Sequence, residues 1–339
     1  MNSPARTVAP ARTRPRILPS VEREGHQLVA ADATGYLMTE GSATADRTAL
    51  TAADGRQQRT DTARLVTYNI LSGGIDSDGS EWRRLGQIDF LSSLHADVIA
   101  VQELRGWDEG GWWRLWALAN SLGMVPLPPV ISARGRGGHL ALLYRPQSVR
   151  IDDYESDAAR GAFHHGLGRA RLHIRDQLLT VLFTRLCPLG GAERYAEAQW
   201  LAGYGGTYEG EPQRVVLLGD LNTIGPHDIE PPWSRLPASL RSRHCHLTAG
   251  GSFGDTDRRA IQLLAATGFH DPFDVLGEKP PRTVGYWSPA EQADRRSDFI
   301  LANWNLVDQI AAATVHDTET TRILSDHLPV VVELAPPAS

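Results

Sequence analysis

Five short runs of β-branched and aliphatic residues each abut a side chain tipped with oxygen or nitrogen, and this pattern limits the possible folds more than any bulk property. Arg64-Leu65-Val66-Thr67 leads into Tyr68-Asn69, and Asp97-Val98-Ile99-Ala100-Val101 into Gln102-Glu103. Val215-Val216-Leu217-Leu218 leads into Gly219-Asp220-Leu221-Asn222. Asp298 opens Phe299-Ile300-Leu301, and Ser325-Asp326-His327 precedes Leu328-Pro329-Val330-Val331-Val332. Apolar runs of this length read as strands buried on both faces. Polar groups at their ends therefore gather on one rim of a sheet, where sites are built.

Between these runs the periodicity changes. Ser80–His95 reads as a helix, with Trp82, Leu85, Ile88, Leu91 and Leu94 at three- and four-residue spacings. Trp112–Leu122 reads as a second, whose Trp113, Trp116, Leu118 and Leu122 are expected to face the core. Further helices are expected over Glu193–Tyr204 and Asp257–Thr267, the last capped by Asp255 or Asp257. His139–Tyr144 and Leu178–Thr184 read as additional strands, and Gly225–Gly254 as a long irregular loop. The fold class is α/β.

Composition narrows the function. The chain has 339 residues, 41% of them hydrophobic, and a formal net charge of −6. That balance disfavours a general duplex binder, which needs clustered cations. Lys279 is the single lysine beside many arginines. No run approaches the ~18 apolar residues of a membrane helix, and no secretory leader is evident, so a cytoplasmic protein is expected. Two cysteines, Cys187 and Cys245, form no disulfide framework and are expected to be reduced thiols. Residues 1–62 lack apolar periodicity and carry Arg6, Arg12, Arg14 and Arg16 before their first acid; they read as a disordered extension to a domain over 63–336. No obligate protein partner is evident.

The polar groups suit phosphate chemistry. Mg²⁺ takes hard oxygen ligands, with one or two carboxylates plus substrate oxygens. Glu103 suits the main ligand, with the Asn69 amide oxygen beside it and Asp326 as a further ligand or a helper to the leaving oxygen. Asp220 can take a proton from an attacking water, and Asn222 can hydrogen-bond that water or a phosphate oxygen. His327 can donate to the non-bridging oxygens where charge grows, and Asp298 is the candidate to orient its far nitrogen. Each motif alone also reads as a turn or cap; their joint order and strand context carry the argument. The His164-His165 pair, His244 and His246 have no Cys or acidic partner at zinc spacing and read as surface or loop residues. Tyr286 and Trp287 read equally as lining of a leaving-group pocket and as core.

These residues, in this order, resemble the endonuclease/exonuclease/phosphatase superfamily, the fold of DNase I, from about Arg64 to Leu334. Gly219-Asp220-Leu221-Asn222 and Ser325-Asp326-His327 are the most specific marks, and His139–Arg145 is similar to a strand segment found there. The resemblance implies a four-layer α/β/β/α sandwich: two packed mixed β-sheets flanked by helices, with the site at one edge. It implies Mg²⁺ (or Mn²⁺) and single-displacement attack of water on phosphorus. Asn69 and Glu103 match the metal-side residues, Asp220 and Asn222 the pair that activates the nucleophile, Asp298 and His327 the Asp–His dyad, and Asp326 the acid beside it. One position departs: where many members have Thr-His-Leu, this chain has Thr184-Arg185-Leu186. Arg185 is a fixed cation that can grip a phosphate oxygen but cannot shuttle a proton near neutral pH.

The leading expectation is a Mg²⁺- or Mn²⁺-dependent phosphoesterase acting on nucleic acid or a small phosphodiester or phosphomonoester. The alternatives are a catalytically weak binding or regulatory protein on the same fold, with Arg185 as its first symptom, and a nucleic-acid tether acting through the N-terminal arginines. Arg134, Arg136, Arg145, Arg169 and Arg171 are candidates for a shared basic face, and Arg235, Arg241 and Arg243 for substrate selection.

Overall fold

The computed structural model describes residues 62–337 apart from 133, 135, 136, 176, 209, 290 and 291; the expected extension over 1–62 lies almost entirely outside that range. In chain order the strands are β1 (Ala63–Asn69), β2 (Val98–Gln102), β3 (Val125–Pro126), β4 (Leu140–Tyr144), β5 (Val149–Glu155), β6 (Leu167–Ile174), β7 (Gln177–Arg185) and β8 (Thr207–Tyr208). They continue with β9 (Glu211–Pro212), β10 (Val215–Asp220), β11 (Cys245–Leu247), β12 (Phe253–Thr256), β13 (Phe269–His270), β14 (Asp298–Asn303), β15 (Ile310–Val315) and β16 (Val330–Leu334). The longer helices are Trp82–Ser93, Trp113–Leu122, Gly191–Ala202 and Arg259–Ala266.

Two mixed six-stranded sheets form, in the orders β15-β16-β1-β2-β4-β3 and β13-β14-β10-β7-β6-β5. Each has one parallel pair at its centre, β1 with β2 and β7 with β10, flanked by antiparallel neighbours. Strand alternation sorts the layers. Leu65, Val98, Ala100, Leu140, Leu142, Val216 and Leu218 point into the core between the sheets. Their neighbours Val66, Ile99, Val101, Ala141 and Leu143 pack on helices outside the first sheet, and Val215 and Leu217 on helices outside the second. Burial on both faces is why these strands are continuous apolar runs instead of alternating ones. The result is the expected four-layer sandwich.

The helices correct two expectations. In Trp82–Ser93, Trp82 and Leu85 are 47% and 55% exposed, and Arg83, Arg84 and Gln87 take the buried face with Leu91. The reason is backbone satisfaction: Arg83 donates to the carbonyls of Ile70, Leu71, Ile75 and Leu324, and Gln87 to those of Ile70 and Leu324. Loop carbonyls without strand partners need such donors. In Trp113–Leu122, Leu115, Leu118, Ala119 and Leu122 are buried, whereas Trp113 and Trp116 face outward. Arg84 and Arg114 lie over the Trp113 ring at 5.5 and 4.5 Å, so cation–π contact covers it in place of core packing.

Gly225–Gly254 is not irregular throughout. It contains the helix Ala238–His244 and part of the β11–β12 hairpin, with Trp233, Leu236, Ile224 and Ala293 as a small core of its own. The helix expected at Asp257 begins at Arg259, whose N–H bonds to Asp257 Oδ1 at 3.2 Å. Both cysteines are free. No helix among the described residues is long and apolar enough to cross a membrane.

Candidate active site

The two parallel pairs place their carboxyl ends at the same edge. Asn69 ends β1 in register with Gln102, one residue before Glu103; Asp220 ends β10 in register with both Arg185 of β7 and Asp298 of β14. His327 is brought in by the segment ahead of β16, where Ser325 Oγ donates to the Asn69 carbonyl at 2.8 Å. Local backbone serves this edge. Gly219 precedes Asp220 because any Cβ there would run into the Thr184 carbonyl on β7. Glu103 and Asn222 hold left-handed φ angles of 65° and 48°, sparsely populated for such residues and concentrated at sites.

Asp220 is fully buried and its two oxygens meet four donors. Oδ1 accepts from Ser297 Oγ at 2.7 Å and from the Asn222 N–H at 3.0 Å. Oδ2 accepts from Asn69 Nδ2 and Arg185 Nε, both at 3.1 Å. Burial pushes its pKa up, but His327, Arg185 and these hydrogen bonds outweigh it and hold the group at about 2. Glu103 Oε1 accepts from Arg185 Nη2 at 2.7 Å and Asn69 Nδ2 at 3.2 Å, and Oε2 from the Ser72 N–H at 2.9 Å. Against burial, Arg185 and the Ser72 amide hold the Glu103 carboxyl below its ordinary range.

Asp298 brackets His327 Nδ1 with both oxygens, at 3.0 and 2.8 Å. His327 Nε2 lies 3.4 Å from Asn69 Nδ2 and 3.9 Å from Asp220 Oδ2, leaving it open to a better acceptor. Burial lowers the imidazole pKa, but Asp298, Asp220 and Asp326 together lift it to about 10, so the ring is charged at neutral pH. Asp220, Asp298 and His327 offer ligand-type atoms within 4.8 Å of one another, a spacing that can hold a metal ion. Because Asp298 and His327 are committed to each other, the hard-oxygen duty falls more naturally on Glu103. With every carboxyl ionised, Glu103, Asp220, Asp298 and Asp326 against Arg185 and His327 leave two formal negative charges, which suits a divalent cation.

Several expected residues take up different postures. Asn69 sits at the centre, but it turns Nδ2 to the carboxylates while Oδ1 accepts from the Leu71 N–H at 3.1 Å, so its amide oxygen does not face the acids. Asn222 donates Nδ2 to the Leu186 carbonyl at 2.9 Å, which braces the turn. Arg185 lies within the carboxylate group, paired with Glu103 and Asp220. Asp326 is half-buried, with Ser325 Oγ 3.4 Å from Oδ1.

Three groups escaped sequence reasoning. Ser297 is a direct donor to Asp220, signalled only by the dipeptide Ser297-Asp298. The Ser72 amide depends on a loop conformation no motif announces. His165, read as a surface or loop residue, does lie in a loop but is 2% exposed; its Nε2 lies 3.4 Å from Arg185 Nη1 and its Nδ1 3.2 Å from Ser132 Oγ. Burial and Arg185 push its pKa down to about 3, so it is neutral. His244 is likewise buried, stacked on Trp233 at 5.2 Å, and burial and nearby arginines keep it neutral too.

A cleft of about 1360 Å³ is lined by Trp82, Arg235, Tyr286, Trp287, Arg295 and Ile323 among others, and by none of the catalytic candidates. It borders the site through Tyr286, whose hydroxyl donates to the Ser325 carbonyl at 2.6 Å. Arg145 bonds the Ala96 and Leu122 carbonyls, Arg169 pairs with Asp153 and Glu155, and Arg171 lies 3.6 Å from Asp152, so these three do not build the expected basic face. Arg136 lies outside the described residues.

Two mixed sheets back to back, with an Asp–His pair and acids on one edge, define the DNase I-like fold. The family model for the endonuclease/exonuclease/phosphatase family matches residues 66–327, and the chain belongs to that family, whose members are generally phosphoester hydrolases. No curated protein matches. Among solved structures, a humanized D. rerio TDP2 superposes with a TM-score of 0.58 at 15% identity, covering 81% of this chain and 99% of that one. An AP endonuclease from Archaeoglobus fulgidus gives 0.56 at 19% identity, covering 80% and 99%. D. rerio TDP2 complexed with single strand DNA product gives 0.54 at 15%, covering 81% and 99%.

Proposed function

We propose that the protein hydrolyses a phosphate ester, a phosphodiester in the first instance, by in-line attack of water assisted by Mg²⁺ or Mn²⁺. The carrying observation is the convergence of a charged His327, held by Asp298 at 2.8 Å, with an anionic Asp220 3.9 Å from its open nitrogen. A bound divalent ion would polarise the phosphoryl oxygens and offset the charge they gain. Glu103 is the residue to hold it, with Asp326 as the second carboxylate.

The chain's own groups supply the rest. His327 Nε2–H donates to a non-bridging oxygen as charge builds there. Asp220, with a pKa of about 2, is a weak base before reaction. Its first task is to orient the water; it takes the proton once bonding to phosphorus has made that water acidic. Asp326, beside His327 in sequence, would assist the leaving oxygen instead if it does not join Glu103 on the ion. Likeness to D. rerio TDP2 complexed with single strand DNA product supports single-stranded nucleic acid as a substrate class, as does the acidic net charge, which weighs against duplex binding.

The test is hydrolysis of a panel: a chromogenic phosphodiester, a phosphomonoester, single- and double-stranded DNA, RNA and a lipid phosphodiester. Each is run with Mg²⁺, Mn²⁺ or EDTA beside Asp220→Ala. Metal-dependent turnover lost in Asp220→Ala is the expected result. Silence across the panel from folded, metal-binding protein would favour a binding protein on this fold.

A further inference from the structure

We propose that Arg185 is a resident counter-ion for Glu103 and Asp220, and that it competes with a divalent cation for the Glu103 carboxylate. The proposal rests on the metal-assisted reading above and adds a control on metal affinity carried by this chain's own side chain.

The geometry points this way on three sides of the guanidinium. Nη2 is 2.7 Å from Glu103 Oε1, Nε is 3.1 Å from Asp220 Oδ2, and Nη1 is 3.4 Å from His165 Nε2. The register of the parallel pair fixes this posture, because Arg185 and Asp220 are direct partners across β7 and β10. A carboxylate has about four acceptor positions. Asp220 meets Ser297, Asn222, Asn69 and Arg185, one of which the attacking water would replace. Glu103 spends three on Arg185, Asn69 and Ser72. The position left open is on Oε2, so a metal ion bound there shares the carboxylate with Arg185 and meets a like charge in a buried site where screening is weak, and one that also takes Oε1 must displace the guanidinium.

His165 gives the displaced cation somewhere to go. Ser132 Oγ lies beside its Nδ1, so Nε2 is free to act as the acceptor toward Arg185, and the ring carries no charge to repel it. Arg185 can rotate from Glu103 toward His165 while keeping its Nε bond to Asp220. Two carboxylates buried together need a cation at all times, and this chain supplies one of its own when no metal is present.

The experiment is Mn²⁺ binding by isothermal titration calorimetry to wild type, Arg185→Lys and Arg185→Met, with circular dichroism for fold and the hydrolysis panel in parallel. The expected order of affinity is wild type weakest, Lys intermediate because a single ammonium cannot bridge both acids, and Met tightest by about tenfold or more. Arg185→Met should also show the largest rise in melting temperature on adding Mn²⁺. Equal affinities, or wild type binding most tightly, would overturn the proposal while metal-dependent hydrolysis still stood. Mn²⁺ binding by none of the three proteins would sink both it and the metal-assisted reading. Should Arg185→Met not fold, Arg185→Lys decides alone: affinity no tighter than wild type refutes the idea.

Discussion

Asp298→Asn isolates the histidine's partner. The substitution keeps the volume and one acceptor oxygen for His327 Nδ1, and removes one negative charge from 2.8 Å away in a fully buried pair. His327 stands at about 10 because three carboxylates overcome burial, with Asp298 the largest of them. Taking that charge away should lower the histidine by at least about one pH unit, where each unit corresponds to ~1.4 kcal/mol. A ring one unit lower is still mostly charged at pH 8, so a kcat loss of ~10²–10³-fold there would report the lost orienting carboxylate, with loss of ring charge adding to it only at higher pH. The basic limb of the kcat profile should move to lower pH by the same shift. Full pH–rate profiles for wild type, Asp298→Asn, His327→Gln and the double variant would read this. Because Asp298 acts through His327, the double variant should be no slower than His327→Gln. An unmoved basic limb, or losses that multiply in the double variant, would refute the assigned coupling.

Three other outcomes follow from the same geometry. Gly219→Ala drives a Cβ into the Thr184 carbonyl, so chemical denaturation should show a loss of ~3 kcal/mol or more; a loss within error would mean β7 and β10 are not so closely apposed. Ser297→Ala removes the 2.7 Å donor to Asp220, and charged-group hydrogen bonds of this kind contribute ~1.5–3 kcal/mol; stability should fall by about that much and the acid limb should rise, and an unshifted acid limb would detach Ser297 from Asp220. The histidine also links pH to folding: its folded pKa of about 10 exceeds the ordinary 6.5, so its contribution is fully present below pH 6.5 and is lost as pH rises toward 10. Metal-free wild type should therefore lose more stability than His327→Gln over that window; parallel curves would contradict it.

The parts of this fold that announce themselves in sequence are those where one physical demand dominates. β1, β2, β10 and β16 are buried on both faces, so their apolar runs have no competing reading. The Asp298–His327 pair was legible for a related reason: each residue stands at the end of such a run. β5 is hard to read because its Asp152, Asp153 and Glu155 pair with Arg171 and Arg169 of β6 across an edge of the sheet, so β5 itself shows no clean apolar face, whereas β6 alternates with Ala170, Leu172 and Ile174 buried. β15, Ile310-Ala311-Ala312-Ala313-Thr314-Val315, carries helix-forming alanines whose strand state is set by pairing with β16. Trp113 and Trp116 misled because periodicity finds a face but not which side of it meets the sheet. Arg185 is legible as a member of the site, yet its orientation depends on partners 20 or more residues away, which no local pattern encodes.

The pairing of the last strand with the first has a consequence for the protein's life before it is finished. Ala63 lies opposite Leu334, so β1 waits for nearly the whole described length to be synthesised before its outer partner exists. Asp298 and His327 arrive late as well, and His327 is seated only when Ser325 reaches the Asn69 carbonyl. Such long-range closure is slow to form. A partial chain that stops before Asp298 and His327 thus lacks the buried pair that sits beside Asp220.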